Sequence, residues 1–315
     1  MILIWGLAAD GPVASVRRAL ERNRAAVAFV DQHALLASSI EVTCGGRVGG
    51  SIRTGGHEFG LDEVSAAYLR PYDPRRVLDA HRVKAGSPAW HVALSVEDAL
   101  SCWSEMTAAF VVSRPSAMAS NNSKPYQAQL IERHGMRVPQ TLITTDVEAV
   151  TEFRARHGRI VYKSMSGIRS IVSQLRDDDI HRLKDIANCP TQFQEYVEGI
   201  DVRVHVIGDE TFACEIRSQA DDYRYPDRQH ASVEIAVCAL PENVRELCCS
   251  LATALDLPVA GIDLRRTPAD EWYCFEVNPS PGFTFYEEAT GQPISDAMAR
   301  LLASGGIARR TGRWC

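Results

Sequence analysis

Ile2 to Leu7 is an unbroken apolar run, the length of a buried strand. The turn Ala8-Ala9-Asp10-Gly11-Pro12 follows it. Val13 to Asn23 then carries apolar residues at helical spacing, and Ala26 to Val30 is apolar again, ending at Asp31. Strand, helix and strand in this order predict the start of a parallel sheet with covering helices. Gly45-Gly46, Gly49-Gly50 and Gly55-Gly56 punctuate short stretches that read as hairpin strands. Ala93 to Val112 predicts a helix running into a strand. Arg114 through Ser123 is small and polar and marks a boundary.

Beyond it the pattern changes. Lys124 to Arg133 predicts a helix, Thr141 to Thr144 an extended segment, and Thr145-Asp146 the cap of a helix that Gly158 ends. Arg159 to Lys163, Thr191 to Tyr196, Val202 to Ile207, Thr211 to Ile216, Val259 to Arg265 and Trp272 to Val277 read as strands. Helices are expected from Pro241 to Leu255 and from Ser295 to about Ala303. The expected fold class is α/β (α+β), in three parts: 1–113, 114–195 and 196–315.

Composition narrows the function classes. The 315 residues carry 34 Lys and Arg against 40 Asp and Glu, a net charge of −6. Such a chain has no overall positive field for phosphate neutralisation, so a nucleic-acid partner is not expected. No apolar run reaches the ~20 residues of a membrane helix, and the apolar start lacks the basic residues of a signal peptide. Nine cysteines without a C-x-x-C pair point to reduced thiols in a cytoplasm. Cys248-Cys249 lies in a helical pattern and reads as core.

The densest chemistry is in Gly261-Ile262-Asp263-Leu264 and Phe275-Glu276-Val277-Asn278-Pro279-Ser280-Pro281-Gly282. Side chains alternate along a strand, so Glu276 and Asn278 share a face and Phe275 and Val277 take the other. With a turn centred between Ala269 and Asp270, Asp263 falls opposite Glu276. Facing carboxylates repel and call for a cation between them. Hard oxygen donors of this kind suit Mg²⁺, with Mn²⁺ as an alternative. A solvated acidic hairpin face has the same pattern. Elsewhere, Asp201, Arg203 and His205 alternate with valines and share a face. Arg203 is a candidate clamp for phosphate or carboxylate, and His205 reads as a plain sheet-face histidine. Lys163, before Ser164-Met165-Ser166-Gly167, is placed to put a point charge on phosphates, although Gly167 also fits an ordinary turn.

On these residues the chain resembles the ATP-grasp superfamily, in particular the RimK-like and microviridin-type (graspetide) carboxylate–amine ligases. The likeness runs from about Arg114 to Ala303, with a weaker one around Leu61-Asp62-Glu63-Val64 and Tyr68-Leu69-Arg70-Pro71. It implies an N-terminal pre-ATP-grasp domain, a small central lid domain and a C-terminal antiparallel-sheet domain. It also implies an ADP-forming ligase that makes an amide or peptide bond through an acyl phosphate. The resemblance places Asp263, Glu276 and Asn278 at the metal. ATP falls to Lys124, Lys163, Ser166, Gly167, Gln194, the backbone of Glu195 and Val197, and Asp201 at the ribose. Arg203, Arg224 (or Arg217) and Ser280 fall at the reacting groups. For Arg224 and Arg217 a surface ion pair with a neighbouring aspartate is an equal alternative. Asp10 is an expected substrate contact. The expected partners are a small-molecule or peptide carboxylate and an amine or other nucleophile, with a homo-oligomer compatible. Alternatives are a ribosomal-peptide macrocyclase making lactam or ester links, for which no docking surface is visible in the sequence, and a non-catalytic nucleotide-binding protein. A nicotinamide-dependent oxidoreductase rests only on the strand–helix–strand start, since no G-x-G-x-x-G follows.

Overall fold

The computed structural model describes residues 1–164, 172–218 and 233–306. Its first region runs β1 (Ile2–Gly6), α1 (Gly11–Arg22), β2 (Val27–Asp31), β3 (Ser39–Thr43), β4 (Gly49–Thr54), β5 (His57–Gly60), β6 (Ala66–Arg70), α2 (Pro74–Ala80), α3 (Pro88–Met106) and β7 (Phe110–Val112). The parallel sheet has the order β2-β1-β6-β7, and β3-β4-β5 form a separate antiparallel sheet. Asp10 caps α1 by accepting from Val13 N at 3.1 Å, which explains why the turn after β1 enters a helix at once.

The next region holds α4 (Pro115–Met118), α5 (Lys124–Arg133), β8 (Thr141–Thr144), α6 (Val147–His157), β9 (Ile160–Ser164), β10 (Ser173–Gln174) and β11 (Thr191–Glu195). Its sheet has the order β10-β9-β11-β8, and its core gathers Val150, Phe153, Ile160, Leu183, Ile186 and Phe193. The last region is β12 (Ile200–Ile207), β13 (Glu210–Ser218), β14 (Val233–Val237), α7 (Glu242–Ala254), β15 (Val259–Arg266), β16 (Trp272–Asn278), α8 (Thr284–Thr290) and α9 (Ile294–Ala303). Its antiparallel sheet has the order β14-β13-β12-β15-β16.

Two cores sandwich that sheet. Val202, Val204 and Val206 point to one side and pack with Cys248, Leu251 and Ala252 of α7 and Ile131 of α5. At the other side α9 is shared. Ile294, Met298, Leu301 and Leu302 pack with Ile2, Ile4, Val13, Val16 and Leu20 of the first region and with Ile207, Phe212 and Val259 of the last. A helix buried on most of its circumference needs apolar residues all round, as Ile294-Ser295-Asp296-Ala297-Met298-Ala299-Arg300-Leu301-Leu302 largely provides. Through it the first and last regions form one continuous core. Among the described residues, no helix is long and apolar enough to cross a membrane, and the eight described cysteines are all free thiols.

One expectation needs correction. The hairpin turn is centred on Ala269, because Leu264 pairs with Cys274 and Arg266 with Trp272. Continued in that register, Asp263 would meet Phe275. A bulge between Asp263 and Leu264 shifts the pairing, so that Asp263 faces Glu276 after all and Gly261 faces Asn278. Phe275 is the extra residue. A bulge breaks the two-residue alternation, so Cys274 and Val277 both enter the core while Phe275 and Glu276 both line the cleft. Phe275 therefore does not share Val277's face as the plain alternation requires. Its ring lies 5.2 Å from the Arg265 guanidinium.

Candidate functional site

Between the β9/β11 strands and the β12/β15/β16 strands lies an open cleft with about 920 Å³ of empty space, solvent at its mouth included. Lys163, Gln194, Glu195, Val197, Asp201, Asp263 and Glu276 line it together. They come from five strands and the linker, and the sheets bring them to one place.

At one end stand the two acids. Arg203 Nη1 donates to Asp263 Oδ1 at 2.5 Å, and the ion pair is largely buried on the arginine side, with 6% exposure. Lys124 Nζ donates to Glu276 Oε1 and to Asn121 Oδ1 at 2.6 Å. The opposed carboxylates are thus each held by a cation, the arrangement their mutual repulsion demands. Arg203 is itself fixed. Its Nε approaches His205 Nε2 at 3.5 Å, and its guanidinium lies 5.7 Å from the Tyr286 ring. His205 is 1% exposed. Burial first, and the Arg203 charge second, hold its pKa well below the ordinary value, against the opposing effect of a hydrogen bond to the Gly282 backbone. A neutral His205 can accept from Arg203, which a protonated ring cannot. It is a support for Arg203 rather than a plain sheet-face residue.

Two further residues build this end. Gln127, one turn after Lys124 on α5, donates to Val277 O at 2.8 Å and accepts from Val277 N at 3.0 Å. It seals α5 against β16 and so brings Lys124 to Glu276. Gly261 makes room for Arg203. A Cβ there would stand 2.3 Å from Arg203 Nη2 and 2.6 Å from Pro281 Cβ, closer than atoms pack.

The donor set fits a hard divalent cation. Asp263, Glu276 and Asn278 offer two carboxylates and an amide oxygen, the ligand chemistry of Mg²⁺. Among the described residues no group of three or more His, Cys, Asp or Glu is placed to hold a metal; here the third donor is an amide. Asn278 Oδ1 also accepts from Ser280 N at 2.9 Å. The Ser280 N–H is therefore engaged within the turn. Burial pushes the thiols of the nearby Cys214 up to about 12 and of Cys274 well above its usual value, so neither supplies a thiolate nucleophile.

At the opposite end is the linker after β11. Tyr196 lies between Arg159, 3.8 Å from its ring centroid, and Arg265, 6.0 Å away. Arg265 bonds Asp201 Oδ1 at 2.7 Å and Val197 O at 2.9 Å. Glu195 N donates to Gln140 O at 3.0 Å, and the Glu195 side chain accepts from Gln140 N at 3.0 Å. Gln194 Nε2 donates to Thr141 Oγ1 at 3.0 Å.

Three expected residues, Ser166, Gly167 and Arg224, lie outside the described residues. Arg217 is exposed beside Glu215 at 3.6 Å, an ion-pair setting. Asp10 is 8% exposed and is occupied by Arg70 Nε at 2.8 Å and the Tyr72 hydroxyl at 2.9 Å. The structure thus places it in an internal network of the first region.

Comparison with known proteins decides the family. Residues 120–302, more than half of the chain, match the RimK-like ATP-grasp domain. The chain belongs to the RimK-like ATP-grasp family. It is accordingly an ATP-grasp ligase of the ADP-forming class that makes C–N bonds. It is similar to a ribosomal protein bS6–L-glutamate ligase of Escherichia fergusonii, with 28% identity over 210 residues, 63% of this chain and 69% of the relative. It is also similar to the macrocyclase MdnC from Microcystis aeruginosa MRC, whose structure holds the precursor peptide MdnA. There the TM-score is 0.78 and the identity 23%, over 96% of this chain and 99% of MdnC. A third likeness is to the ATP-grasp ligase PsnB in complex with a precursor variant, Mg and ADP, with a TM-score of 0.78 and 25% identity over 96% of this chain and 98% of PsnB. Ligases of this fold use ATP, as the ADP held by PsnB illustrates.

Proposed function

We propose that this ligase activates a carboxylate carried by a peptide and joins it to a side-chain nucleophile of the same peptide. ATP lies along the cleft. The adenine edge pairs with the Glu195 carbonyl and the Val197 N–H, since Glu195 N and Val197 O are already engaged by Gln140 and Arg265. Gln194 borders the base, Asp201 takes the ribose hydroxyls, and Lys163 serves the phosphates, with Ser166 and Gly167 assigned to them by the family resemblance alone. Asp263, Glu276 and Asn278 would hold Mg²⁺ or, with the same oxygen donors, Mn²⁺. When bound, that ion would supply charge neutralisation for the phosphates.

A free carboxylate does not acylate an amine, because oxide is a poor leaving group. Transfer of the γ-phosphoryl group to the carboxylate makes an acyl phosphate and ADP, and the nucleophile then displaces phosphate. Phosphoryl transfer requires alignment and charge neutralisation more than covalent help from the protein. Lys124 and Arg203 hold the two acids in register and stand beside the transferring group, with Arg224 as a further clamp. Ser280 keeps the turn after β16 in shape.

The peptide reading rests on one observation above all. It is the end-to-end likeness to ligases held with precursor peptides. The test is a reaction of the protein, ATP and Mg²⁺ with acidic peptides that also carry Ser, Thr or Lys, followed by ADP release and peptide mass. The expected result is loss of one water per bond formed. In the same reaction supplied with free L-glutamate, a mass gain of one glutamyl residue per bond (glutamate less one water) would favour the glutamate-ligase alternative.

A further inference from the structure

The first region carries no residue of the cleft itself, yet one of its side chains reaches the end of the metal strand. Arg70, the last residue of β6, sends Nη1 to Ser280 O at 2.9 Å, Ser280 Oγ at 2.9 Å and Pro281 O at 3.0 Å. Those acceptors belong to the turn that directly follows Asn278. The same turn is tied to Asn278 through Ser280 N and Asn278 Oδ1. A continuous series of hydrogen bonds therefore leads from Arg70 to the third candidate metal ligand, 208 residues further along the chain by number (278 − 70).

Arg70 is aimed by its own surroundings. Its Nε is held by Asp10 Oδ1 at 2.8 Å, and the pair is nearly out of solvent, with 15% and 4% side-chain exposure. Asp10 is pinned in turn. It caps α1 through Val13 N and accepts the Tyr72 hydroxyl on Oδ2. Tyr72 is fixed at its backbone by Gln32, which receives Tyr72 N at 2.8 Å and donates to Tyr72 O at 3.0 Å. A guanidinium presents its donors in one rigid plane. Fixing Nε on Asp10 therefore fixes where Nη1 meets the turn.

We propose that Arg70, oriented by Asp10, is a positioning residue of the ligase reaction: it holds the Asn278–Pro281 turn so that the Asn278 oxygen stays aligned with Asp263 and Glu276. This rests on the functional reading above and adds to it a role for the first region. Groups that orient a metal ligand without touching the metal typically change metal affinity by about 10–100-fold when removed. The adenine end of the cleft is built on other strands and should not respond.

Calorimetric titration of the full chain with ADP, with and without Mg²⁺, separates the two ends without requiring turnover. Arg70→Ala should raise the Mg²⁺ concentration that supports half-maximal enhancement of ADP binding by about tenfold or more, and leave ADP binding without Mg²⁺ unchanged. Arg70→Lys, which keeps the charge but cannot span Asp10 and the turn, should recover part of the loss. Asp10→Asn should move in the same direction by less. If Arg70→Ala does not fold, the two conservative variants decide by the same titration. Mg²⁺ dependence equal to the wild type in the folded variants overturns the proposal, whatever happens to thermal stability, because docking of the first region alone would then be Arg70's role. A wild type whose ADP binding ignores Mg²⁺ overturns the functional reading instead.

Discussion

The two ends of the cleft are built on different principles. At the acid end, each functional group is a side chain held by another side chain: Asp263 by Arg203, Glu276 by Lys124, Arg203 by His205 and Tyr286. At the linker end, the proposed contacts to a base are main-chain groups of Glu195 and Val197, and the side chains nearby brace the backbone. Such a backbone edge survives most side-chain substitutions. A lattice of partly buried charges does not, since removing one partner leaves the other uncompensated. Single substitutions should therefore be severe at the acid end and mild at the linker.

The largest expected effect is Glu276→Gln. It removes a carboxylate from the proposed metal set and leaves Lys124 without its acid. ADP formation at saturating ATP and peptide should fall by about 10²–10³-fold, the loss of roughly 2.7–4 kcal/mol typical of one electrostatic clamp. A fall of less than tenfold would place the chemistry elsewhere.

Gly261→Ala attacks the same end without changing any charge. The new Cβ would overlap Arg203 Nη2 and Pro281 Cβ, so the guanidinium must leave Asp263 or the turn must move. Overpacking of this kind costs about 1–3 kcal/mol of stability, and displacing a positioned group lowers kcat by up to about 10²-fold. Urea unfolding together with kcat measures both. Unchanged values would mean that Arg203 has room the structure does not show.

Gln127→Leu removes the seal between α5 and β16 and leaves the Val277 N–H and C=O buried. Roughly 1–3 kcal/mol of stability should be lost, with a drop in kcat because Lys124 rides on the same helix. The conservative Gln127→Glu keeps the acceptor for Val277 N but loses the donor to Val277 O, and should recover at most part of the loss.

His205 gives the acid end a pH signature. Its folded-state pKa lies well below 6.5. Between that lowered value and 6.5 the unfolded chain binds a proton that the folded chain refuses. Stability is therefore full above 6.5 and falls as pH drops toward the folded value. His205→Gln should flatten that decline in chemical denaturation series taken from pH 7 downward. An unaltered slope would show that other groups carry it. The smallest effect is reserved for the linker: Gln194→Ala should change KM for ATP by no more than about threefold, the cost of one exposed-side hydrogen bond, and leave kcat alone.

How much of this was legible in the sequence follows the range of the interactions. Local patterns sufficed for β1, α1 and β2, and for Asp263 opposite Glu276. That last pairing holds through a bulge that hairpin symmetry does not foretell, and the same bulge reverses the expected direction of Phe275. Lys124 and Glu276 are 152 residues apart, and only the family resemblance joined them. Gln127 was missed although it sits three positions after Lys124, on the same helical face. Arg265 was missed although it follows Asp263 by two residues on a strand whose alternation put it beside Asp201. Gly261 and Arg70 stand in stretches the sequence singles out, but their roles could not be read, because these depend on what a distant segment brings against them. The all-round burial of α9 likewise required knowing that two sheets would close on it.

The most direct test of the central claim is calorimetric binding of ADP to the wild type and to Glu276→Gln, each with and without Mg²⁺. The acid end as described predicts that Mg²⁺ strengthens ADP binding to the wild type, and that Glu276→Gln loses this enhancement while keeping the Mg²⁺-free affinity set by the linker. Enhancement of equal size in both proteins would contradict it.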